Sequence, residues 1–483
     1  MTPAKHMLAS TPILAASLVV LAVAIRCLDF GNPVIHVDEQ YYLLVGGRML
    51  DGAVPYLDIW DRKPVGLFLI YAGMAALPGD DIVGYQLVAT LFAAATALVV
   101  HRAALSTGAA PRGAIAAAVA YLIWLPILGG RGGQAPVFYN LLIAGAALLT
   151  VRLPSLASAR AILLNGCAAC LLAGVAIQVK PTAAFEGAFF GLAHLWAMRR
   201  FGVGRSVGAG ALWTAIGLAP TLAAYASYAG MGAHAAAAWW FANVTSILLR
   251  PGYPPQEILM RLLGIGAQLS PLILCATVAS RWRRHSAEAR LAFGWLAAAL
   301  VGFLAIGTFF DHYALPLVAP LAVAAARTFG RFPRAMIGAL GLAALLVIVE
   351  RAFVPRDGEG ARAVARVVER NSGGECPYVF IGDTITYQLA NACLPTAYAF
   401  PNLLAYATEQ GATGIDEAAE VRRILRRRPP VILVSTRQLA IWNPASIAAL
   451  KATLRAGYRP VFTAPRGGYR TVVYLRKDRP VRR

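Results

Sequence analysis

The sequence is poor in charged residues and in cysteine. Only 14% of its 483 residues are charged, whereas a soluble domain has roughly 25%. This scarcity argues against a water-soluble enzyme, and the 58% hydrophobic residues indicate a polytopic membrane protein. Six cysteines are too few for a disulfide framework. Cys376 and Cys393 lie in the polar C-terminal part and are candidates for one disulfide if that part is outside the cytoplasm.

The excess of positive charge does not indicate nucleic-acid binding. Lys and Arg outnumber Asp and Glu by 44 to 23. Up to residue 353, the basic residues form short clusters between apolar runs, a pattern typical of membrane topology signals. We therefore expect no nucleic-acid partner and a lipid bilayer as the surrounding medium.

The apolar runs predict about 11–13 membrane spans. Eleven runs approach spanning length, and a shorter one occupies 64–78. If 64–78 does not cross, the basic loops fall on the cytoplasmic side with the N-terminus, as the positive-inside rule requires. The basic loops are 102–112, 152–160, 199–205, 281–290 and 327–334. The segment 29–63, Lys180, the Asp311-His312 pair and the C-terminal part then lie on the outer side.

A change of composition after residue 353 predicts two domains, a transmembrane domain over 1–353 and a soluble α/β domain over 354–483. Apolar, β-prone runs at 378–381 and 431–434 predict strands, and 415–428 predicts a helix. The stretch 458–475, with Gly467-Gly468 near its centre, predicts a hairpin. The C-terminal domain has no Gly-rich nucleotide loop or catalytic triad, so we expect an accessory role.

Acidic residues are concentrated in the segment 29–63. Six of the thirteen in the first 353 residues lie between 29 and 61, more than a plain loop needs. Asp38 is a natural N-cap for a helix over 39–50 that Gly52 would end. We expect this helix to lie in the membrane interface with four apolar residues towards lipid: Tyr41, Tyr42, Val45 and Met49.

The order of residues in this segment resembles that of a known family. The string D-E-x-x-Y…G…P-Y-x-D…K-P, which begins at Asp38, follows a first transmembrane helix. It is similar to the GT-C glycosyltransferases, more narrowly to the branch with protein O-mannosyltransferases and lipid A aminoarabinose transferases. The later Phe310-Asp311-His312-Tyr313 also looks like a family segment. The resemblance implies a GT-C-like fold and a polyprenyl-phosphate sugar donor used on the outer side of a bacterial inner membrane.

The resemblance also implies an inverting sugar transfer to an envelope glycolipid, polysaccharide or protein. Asp38 matches the catalytic aspartate, which takes the acceptor proton as general base; a purely structural N-cap is the alternative. Glu39 orients Asp38 or binds sugar hydroxyls, or else lies on a solvated helix face. Tyr42 belongs to the same string and is expected to contact substrate. Asp58 binds acceptor or sugar, or closes the turn that follows Pro55.

The leaving phosphate requires cations placed in advance. Lys63, together with Arg62, is the main candidate, against membrane-interface snorkelling. Lys180 reaches the same phosphate or is an ordinary interfacial lysine. His312 contacts phosphate or acceptor, or is a packing histidine. The aromatic segment from Trp239 to Tyr253 contacts the lipid chain or acceptor, or belongs to an interfacial aromatic belt.

We expect no obligatory metal or other cofactor, because Lys and Arg can neutralise a monophosphate leaving group. The alternative is Mg²⁺ or Mn²⁺ held by Asp38, Glu39 and Asp58. The alternative function is a lipid or glycan transporter or flippase. Such proteins place ionisable residues near the membrane midplane, whereas the predicted spans contain few, notably Glu186.

Overall fold

The computed structural model describes residues 3–282, 285–305, 307–354, 357–437 and 441–482. Arg283 and Arg284, which belong to the predicted basic loop 281–290, lie outside these ranges. Most of the described chain is helical, as predicted. In chain order the first fifteen helices are α1 (Pro3–Arg26), α2 (Val37–Leu50), α3 (Val65–Ala75), α4 (Asp81–Ser106), α5 (Pro111–Ile127), α6 (Ala135–Val151), α7 (Ala159–Ile177), α8 (Ala183–Met198), α9 (Val203–Gly230), α10 (Ala233–Trp240), α11 (Ser246–Leu248), α12 (Pro255–Ser280), α13 (Ala287–Leu304), α14 (Leu315–Arg331) and α15 (Pro333–Phe353).

Nine of the described helical segments are long and apolar enough to cross a membrane. They are centred on α1, α4, α6, α7, α9, α12, α13, α14 and α15. The chain is therefore a multi-pass membrane protein. The predicted 64–78 run forms the shorter helix α3, of 11 residues. Two of the eleven longer apolar runs, at 113–128 and 182–197, form α5 and α8, of 17 and 16 residues. The span count of 11–13 stays a prediction.

Helix α3 is too short to cross a bilayer at full length. Its 11 residues rise about 16 Å at 1.5 Å per residue, whereas the hydrocarbon core is about 30 Å thick. Pro64 immediately precedes its first residue. Proline is favoured at the start of a helix because the N–H that it lacks would have no partner within the helix. The length agrees with a topology in which the 64–78 run does not cross.

The C-terminal part is a small α/β structure, as predicted. Its helices are α16 (Gly358–Ser372), α17 (Ile385–Leu389), α18 (Pro401–Ala405), α19 (Glu417–Arg426) and α20 (Pro444–Gly457), and its strands are β1 (Tyr378–Val379), β2 (Val431–Ser435), β3 (Tyr458–Arg466) and β4 (Tyr469–Arg476). The sheet order is β1-β2-β4-β3. Strand β2 pairs in parallel with β1 and antiparallel with β4.

Local sequence patterns explain this sheet. Strand β4 alternates buried Thr471, Val473 and Leu475 with more exposed neighbours, the period-two pattern of a half-buried strand. The predicted hairpin is formed by β3 and β4, and both turn glycines have positive φ. Cys376 and Cys393 form a disulfide.

The chain packs as two compact units. Unit 1 comprises Met1–Phe30, Gln86–Ala224 and Pro254–Phe353, and unit 2 comprises Gly31–Tyr85, Tyr225–Tyr253 and Val354–Arg483. The acidic segment from residue 31 onward and the aromatic segment thus pack in one unit with the C-terminal residues. The division into domains at residues 353 and 354 stays a prediction.

Candidate active site

Helix α2 carries Asp38 in its first turn, but Asp38 is not the N-cap that we predicted. The cap is His36, whose Nδ1 accepts a hydrogen bond of 3.2 Å from the Asp38 amide. An imidazole nitrogen can satisfy a free helix N–H as a carboxylate does. The Asp38 side chain is 18% exposed, and its Oδ2 lies 3.8 Å from His36 Nδ1. The Asp38 side chain therefore does not supply the cap of this helix.

The apolar residues of α2 do not face lipid as we predicted. Tyr41, Tyr42 and Val45 are all buried by protein, and Met49 is half-buried. The reason is tertiary packing. Helix α2 packs so closely against α3 that a Cβ on Gly46 would lie 2.7 Å from the backbone of Ala72. The helix therefore has protein on the faces that a membrane-surface helix would expose.

Glu39 is fully buried, so a solvated helix face is wrong for this residue. Its Oε2 accepts a hydrogen bond of 3.3 Å from the Tyr85 hydroxyl. Tyr42 packs edge-on against Tyr71, with ring centroids 5.5 Å apart. Tyr42 lies four residues after Asp38, and residues at this spacing share a helix face. The face that carries Asp38 therefore continues into an aromatic wall.

A tight turn brings the chain back from α2 towards α3. Asp58 is exposed, and its Oδ2 accepts a hydrogen bond of 2.8 Å from the Val54 amide. Asp58 thus closes the turn, in agreement with the structural alternative, and substrate binding by Asp58 stays a prediction. Tyr56 has a positive φ of 71°, and its hydroxyl donates to the Lys63 carbonyl at 2.8 Å. The turn thereby anchors the backbone of Lys63.

Lys63 and Asp61 bring further charges to the same group of side chains. The Lys63 ammonium lies 5.8 Å from the centre of the Tyr42 ring, on the α2 face of Asp38. Burial raises the pKa of Asp61; the Lys63 and Arg62 charges lower it, and Asp38 raises it. The charges of Asp38 and Lys63 thus act on Asp61, which is buried. We name these three residues with Tyr42 the α2 cluster.

Sequence reasoning counted Asp61 among the clustered acids but missed it as a site residue. The dense acids and the adjacent Arg62-Lys63 pair were the only signals for it. The residue is 7% exposed, and Oδ1 accepts the Arg62 amide at 2.6 Å. A buried carboxyl beside two cations and another carboxylate is a common feature of active sites.

Arg62 has a different partner from the one we predicted. Its Nη1 lies 2.6 Å from Glu409 Oε2, and Arg250 Nη2 lies 2.7 Å from the other oxygen of the same carboxylate. Glu409 is 3% exposed, so the ion pairs are buried. Arg62 Nε also donates to Ser246 Oγ at 3.3 Å. Arg62 therefore joins the acidic segment to the aromatic segment and the C-terminal part, and contact of its guanidinium with phosphate stays a prediction.

Two other predicted residues come together in unit 1. Lys180 is 7% exposed, and its ammonium lies 4.3 Å from the centre of the Tyr313 ring. His312 packs edge-on against the same tyrosine, with ring centroids 4.6 Å apart. Because Lys180 is buried in protein, the alternative of an ordinary interfacial lysine is wrong. We name Lys180, His312 and Tyr313 the Tyr313 cluster.

No group of three or more His, Cys, Asp or Glu side chains within the described ranges is arranged to hold a metal ion. Asp58 closes its turn, and Glu39 is bonded by Tyr85. The alternative of a metal site built from three carboxylates is therefore not formed. The expectation of no obligatory metal stays a prediction.

Comparison with known proteins gives a match in structure. No family model and no curated protein sequence matches the chain. The crystal structure of ArnT from Cupriavidus metallidurans bound to undecaprenyl phosphate matches 96% of this chain and 98% of its own, with a TM-score of 0.64 and 14% sequence identity. The chain has the ArnT fold. The apo structure of the same protein matches 98% of each chain, with a TM-score of 0.56 and 13% identity.

The likeness covers nearly the whole of both chains, so it includes the helical part and the C-terminal sheet. ArnT is a lipid A aminoarabinose transferase with a GT-C fold. The GT-C-like fold that we predicted from the acidic segment is therefore confirmed. At 14% identity, the ArnT likeness establishes the fold alone.

Proposed function

We propose that the protein is an integral-membrane glycosyltransferase. It moves a sugar from a polyprenyl-phosphate donor to an envelope acceptor, which is a glycolipid, a polysaccharide or a protein. The ArnT structure that shares its fold is described as bound to undecaprenyl phosphate. That likeness supports a polyprenyl-phosphate donor for this chain, and the residues of the α2 cluster supply the chemistry.

One observation carries the proposal. A partly exposed carboxylate, Asp38, and an ammonium, Lys63, both lie by the Tyr42 face of α2, with Asp61 buried beside them. A transfer from a lipid phosphate requires a base for the acceptor and a cation for the leaving group. The α2 cluster holds one of each: Asp38 lies on α2, which is fixed by burial, and Lys63 lies just before α3.

The proposed reaction is a single displacement at the anomeric carbon. The acceptor hydroxyl or amine attacks this carbon, and its proton passes to the Asp38 carboxylate. A new bond joins the acceptor atom to the anomeric carbon as the bond from that carbon to the phosphate oxygen breaks. The electron pair of the broken bond stays on the phosphate, so the products are the glycosylated acceptor, with inverted configuration, and polyprenyl phosphate.

Lys63 stabilises the charge that develops on the departing phosphate. A cation already in place needs no reorganisation during the reaction, which is why preplaced charge lowers the barrier. Tyr56 supports this role because its hydroxyl holds the Lys63 backbone. We also propose that Lys180 of the Tyr313 cluster contacts phosphate and that His312 contacts phosphate or acceptor.

We propose no obligatory metal, because a monophosphate leaving group can be stabilised by lysine alone. Chelation with EDTA should therefore leave sugar transfer unchanged. Loss of transfer on chelation, with recovery on addition of Mg²⁺ or Mn²⁺, would contradict this part of the proposal.

We place the α2 cluster and the C-terminal residues on the outer side of a bacterial inner membrane. The disulfide Cys376–Cys393 supports this orientation, since disulfides persist in oxidising compartments. The short helix α3 supports it as well, because a topology without that crossing puts the basic loops in the cytoplasm.

The proposal is tested by comparing cells with and without the protein. Mass spectrometry of envelope glycolipids, polysaccharides and proteins should reveal a species heavier by one sugar residue only when the protein is present. Wild-type protein should restore this species. Asp38→Asn should not, although it enters the membrane in equal amount. Normal transfer by Asp38→Asn would favour the transporter alternative over our mechanism.

A further inference from the structure

We propose that Arg466 and Asp383 position the first turn of α2, and with it Asp38, for the transfer reaction. Both residues belong to the C-terminal part, for which the sequence predicted only an accessory role. The inference rests on the proposed function in one respect, the role of Asp38 as general base. Both act through the α2 segment that carries Asp38, since Arg466 contacts the Val34 carbonyl and Asp383 contacts Gln40.

Arg466, the last residue of β3, forms the centre of this arrangement. Its Nη2 donates to the Val34 carbonyl at 3.1 Å, two residues before the His36 cap of α2. Its Nε lies 3.0 Å from Asp383 Oδ2, and its Nη1 lies 3.0 Å from Asp357 Oδ2. The planar guanidinium with five donors can make these contacts together, which a lysine could not.

Asp383 contacts α2 at a residue that follows Asp38 in the sequence, whereas Arg466 contacts one that precedes it. Its Oδ1 accepts a hydrogen bond of 3.0 Å from Gln40 Nε2, and the Gln40 Oε1 accepts the Ile385 amide at 3.5 Å. Residues two apart on a helix point in different directions. Gln40 therefore faces the C-terminal part, while Asp38 faces away from it, towards Tyr42 and Lys63.

The arrangement is buried and bonded on several sides. Arg466 has a side-chain exposure of 16%, and Asp383 and Asp357 have 9% each. Burial alone would lower the pKa of the Arg466 guanidinium, but the two aspartates raise it overall, so it stays charged. Buried ion pairs contribute little to stability compared with apolar packing, and they fix geometry instead. A fixed geometry is what a general base requires.

The test uses full-length protein in detergent micelles and in cells that lack the native copy. Gln40→Leu removes the link between α2 and Asp383 while leaving Arg466 and its ion pairs intact. Arg466→Met removes the contact with the Val34 carbonyl and the ion pairs with Asp383 and Asp357. Arg476→Met is the matched control, because Arg476 lies on the neighbouring strand and pairs with Asp478.

Two readouts separate positioning from a loss of structure. Hydrogen exchange in the peptides over 34–50 should rise in Gln40→Leu and in Arg466→Met but not in Arg476→Met. Sugar-modified envelope product per inserted protein should fall on the order of tenfold in the first two variants. Affinity for undecaprenyl phosphate should stay within about twofold of wild type in Gln40→Leu, because Lys63 keeps its own support from Tyr56.

Other results would overturn the inference. Unchanged exchange over 34–50 in Gln40→Leu would mean that the contact does not hold α2. Equal losses of product and of undecaprenyl phosphate affinity would mean a general structural role. Failure of the proposed function gives a different result. Full transfer by Asp38→Asn would exclude Asp38 as the general base, but it would not change the hydrogen exchange measured over 34–50.

Discussion

Two acidic clusters, nine residues apart in the sequence, have opposite character. Asp29 in unit 1 has its two carboxylate oxygens 3.5 Å from Arg131 and 2.5 Å from Arg351, and its side chain is 5% exposed. Asp38 in unit 2 is 18% exposed, lies 3.8 Å from His36 and acts electrostatically on the buried Asp61. The Asp29 cluster is closed by arginines, whereas the α2 cluster leaves a carboxylate accessible.

The comparison shows that a high density of acids does not by itself mark a catalytic segment. Of the six acids between 29 and 61, Asp29 is part of a buried ion-pair cluster. Asp58 closes a turn, and Asp51 pairs with Arg48 at the exposed end of α2. Of the remaining acids, Asp38 and Glu39 lie in the first turn of α2, where Glu39 accepts from Tyr85, and Asp61 is buried. Substitutions in and around the two clusters test this division.

Lys63→Met should produce the largest effect of these substitutions. Removal of the proposed phosphate cation should lower transfer by about 100-fold or more, as loss of a preplaced charge or donor does in other enzymes. Transfer is measured as sugar-modified envelope product per inserted protein. Lys451→Met is the control, because Lys451 is exposed on α20 and distant in sequence from the α2 cluster. Equal transfer by the two variants would remove Lys63 from the mechanism.

Asp29→Asn should affect stability and leave the chemistry unchanged. Breaking a buried ion-pair cluster costs about 3 kcal/mol because charges are left unpaired. The midpoint of thermal unfolding in detergent should therefore fall, while transfer per folded molecule stays near that of wild type. Asp51→Asn is the matched control, since the Asp51 side chain is 71% exposed and its ion pair is at the surface. A loss of transfer without a loss of stability in Asp29→Asn would contradict a purely structural role for the Asp29 cluster.

Asp61→Asn should change the pH dependence of stability. Burial raises the pKa of Asp61 above its unfolded value, so ionisation of this group costs the folded state free energy. This penalty is absent at low pH and grows as the pH rises through the folded pKa. The asparagine variant avoids it, so its unfolding midpoint relative to wild type should rise from pH 4 to pH 7. A relative midpoint that falls over this range would mean that Asp61 is stabilised as a carboxylate.

Asp58→Ala should give the smallest effect. The variant loses the hydrogen bond that Asp58 accepts from the Val54 amide, worth about 1 kcal/mol. We expect transfer within about twofold of wild type, measured as product per inserted protein. A loss of tenfold or more would show that Asp58 binds acceptor or sugar in addition to closing its turn.

The features that follow from local sequence patterns were predicted well. The apolar runs became helices, and the predicted hairpin became β3 and β4 with its glycine turn. The GT-C-like fold followed from the short string that begins at Asp38. The helices and the hairpin depend on residues close together in the chain, whose periodicity and turn preferences can be read directly. The GT-C-like fold was implied by the family resemblance of that string.

The features that depend on distant residues were not predictable from the sequence. The faces of α2 were assigned to lipid because the sequence does not reveal that α3 buries them. Arg62 was assigned to phosphate because its partner, Glu409, is 347 residues away. The cap of α2 is a local exception: His36, two residues before Asp38, accepts the Asp38 amide, and histidine is not among the preferred N-cap residues.

The most direct test of Asp38 as general base compares two aspartate-to-asparagine variants of the purified, reconstituted protein. The measurement is the rate at which undecaprenyl phosphate is released from a sugar-linked undecaprenyl-phosphate donor in extracted cell lipids. Asp38→Asn should release it at least about 100-fold more slowly than Asp58→Asn, because only Asp38 accepts the acceptor proton. Equal release by the two variants would contradict the account.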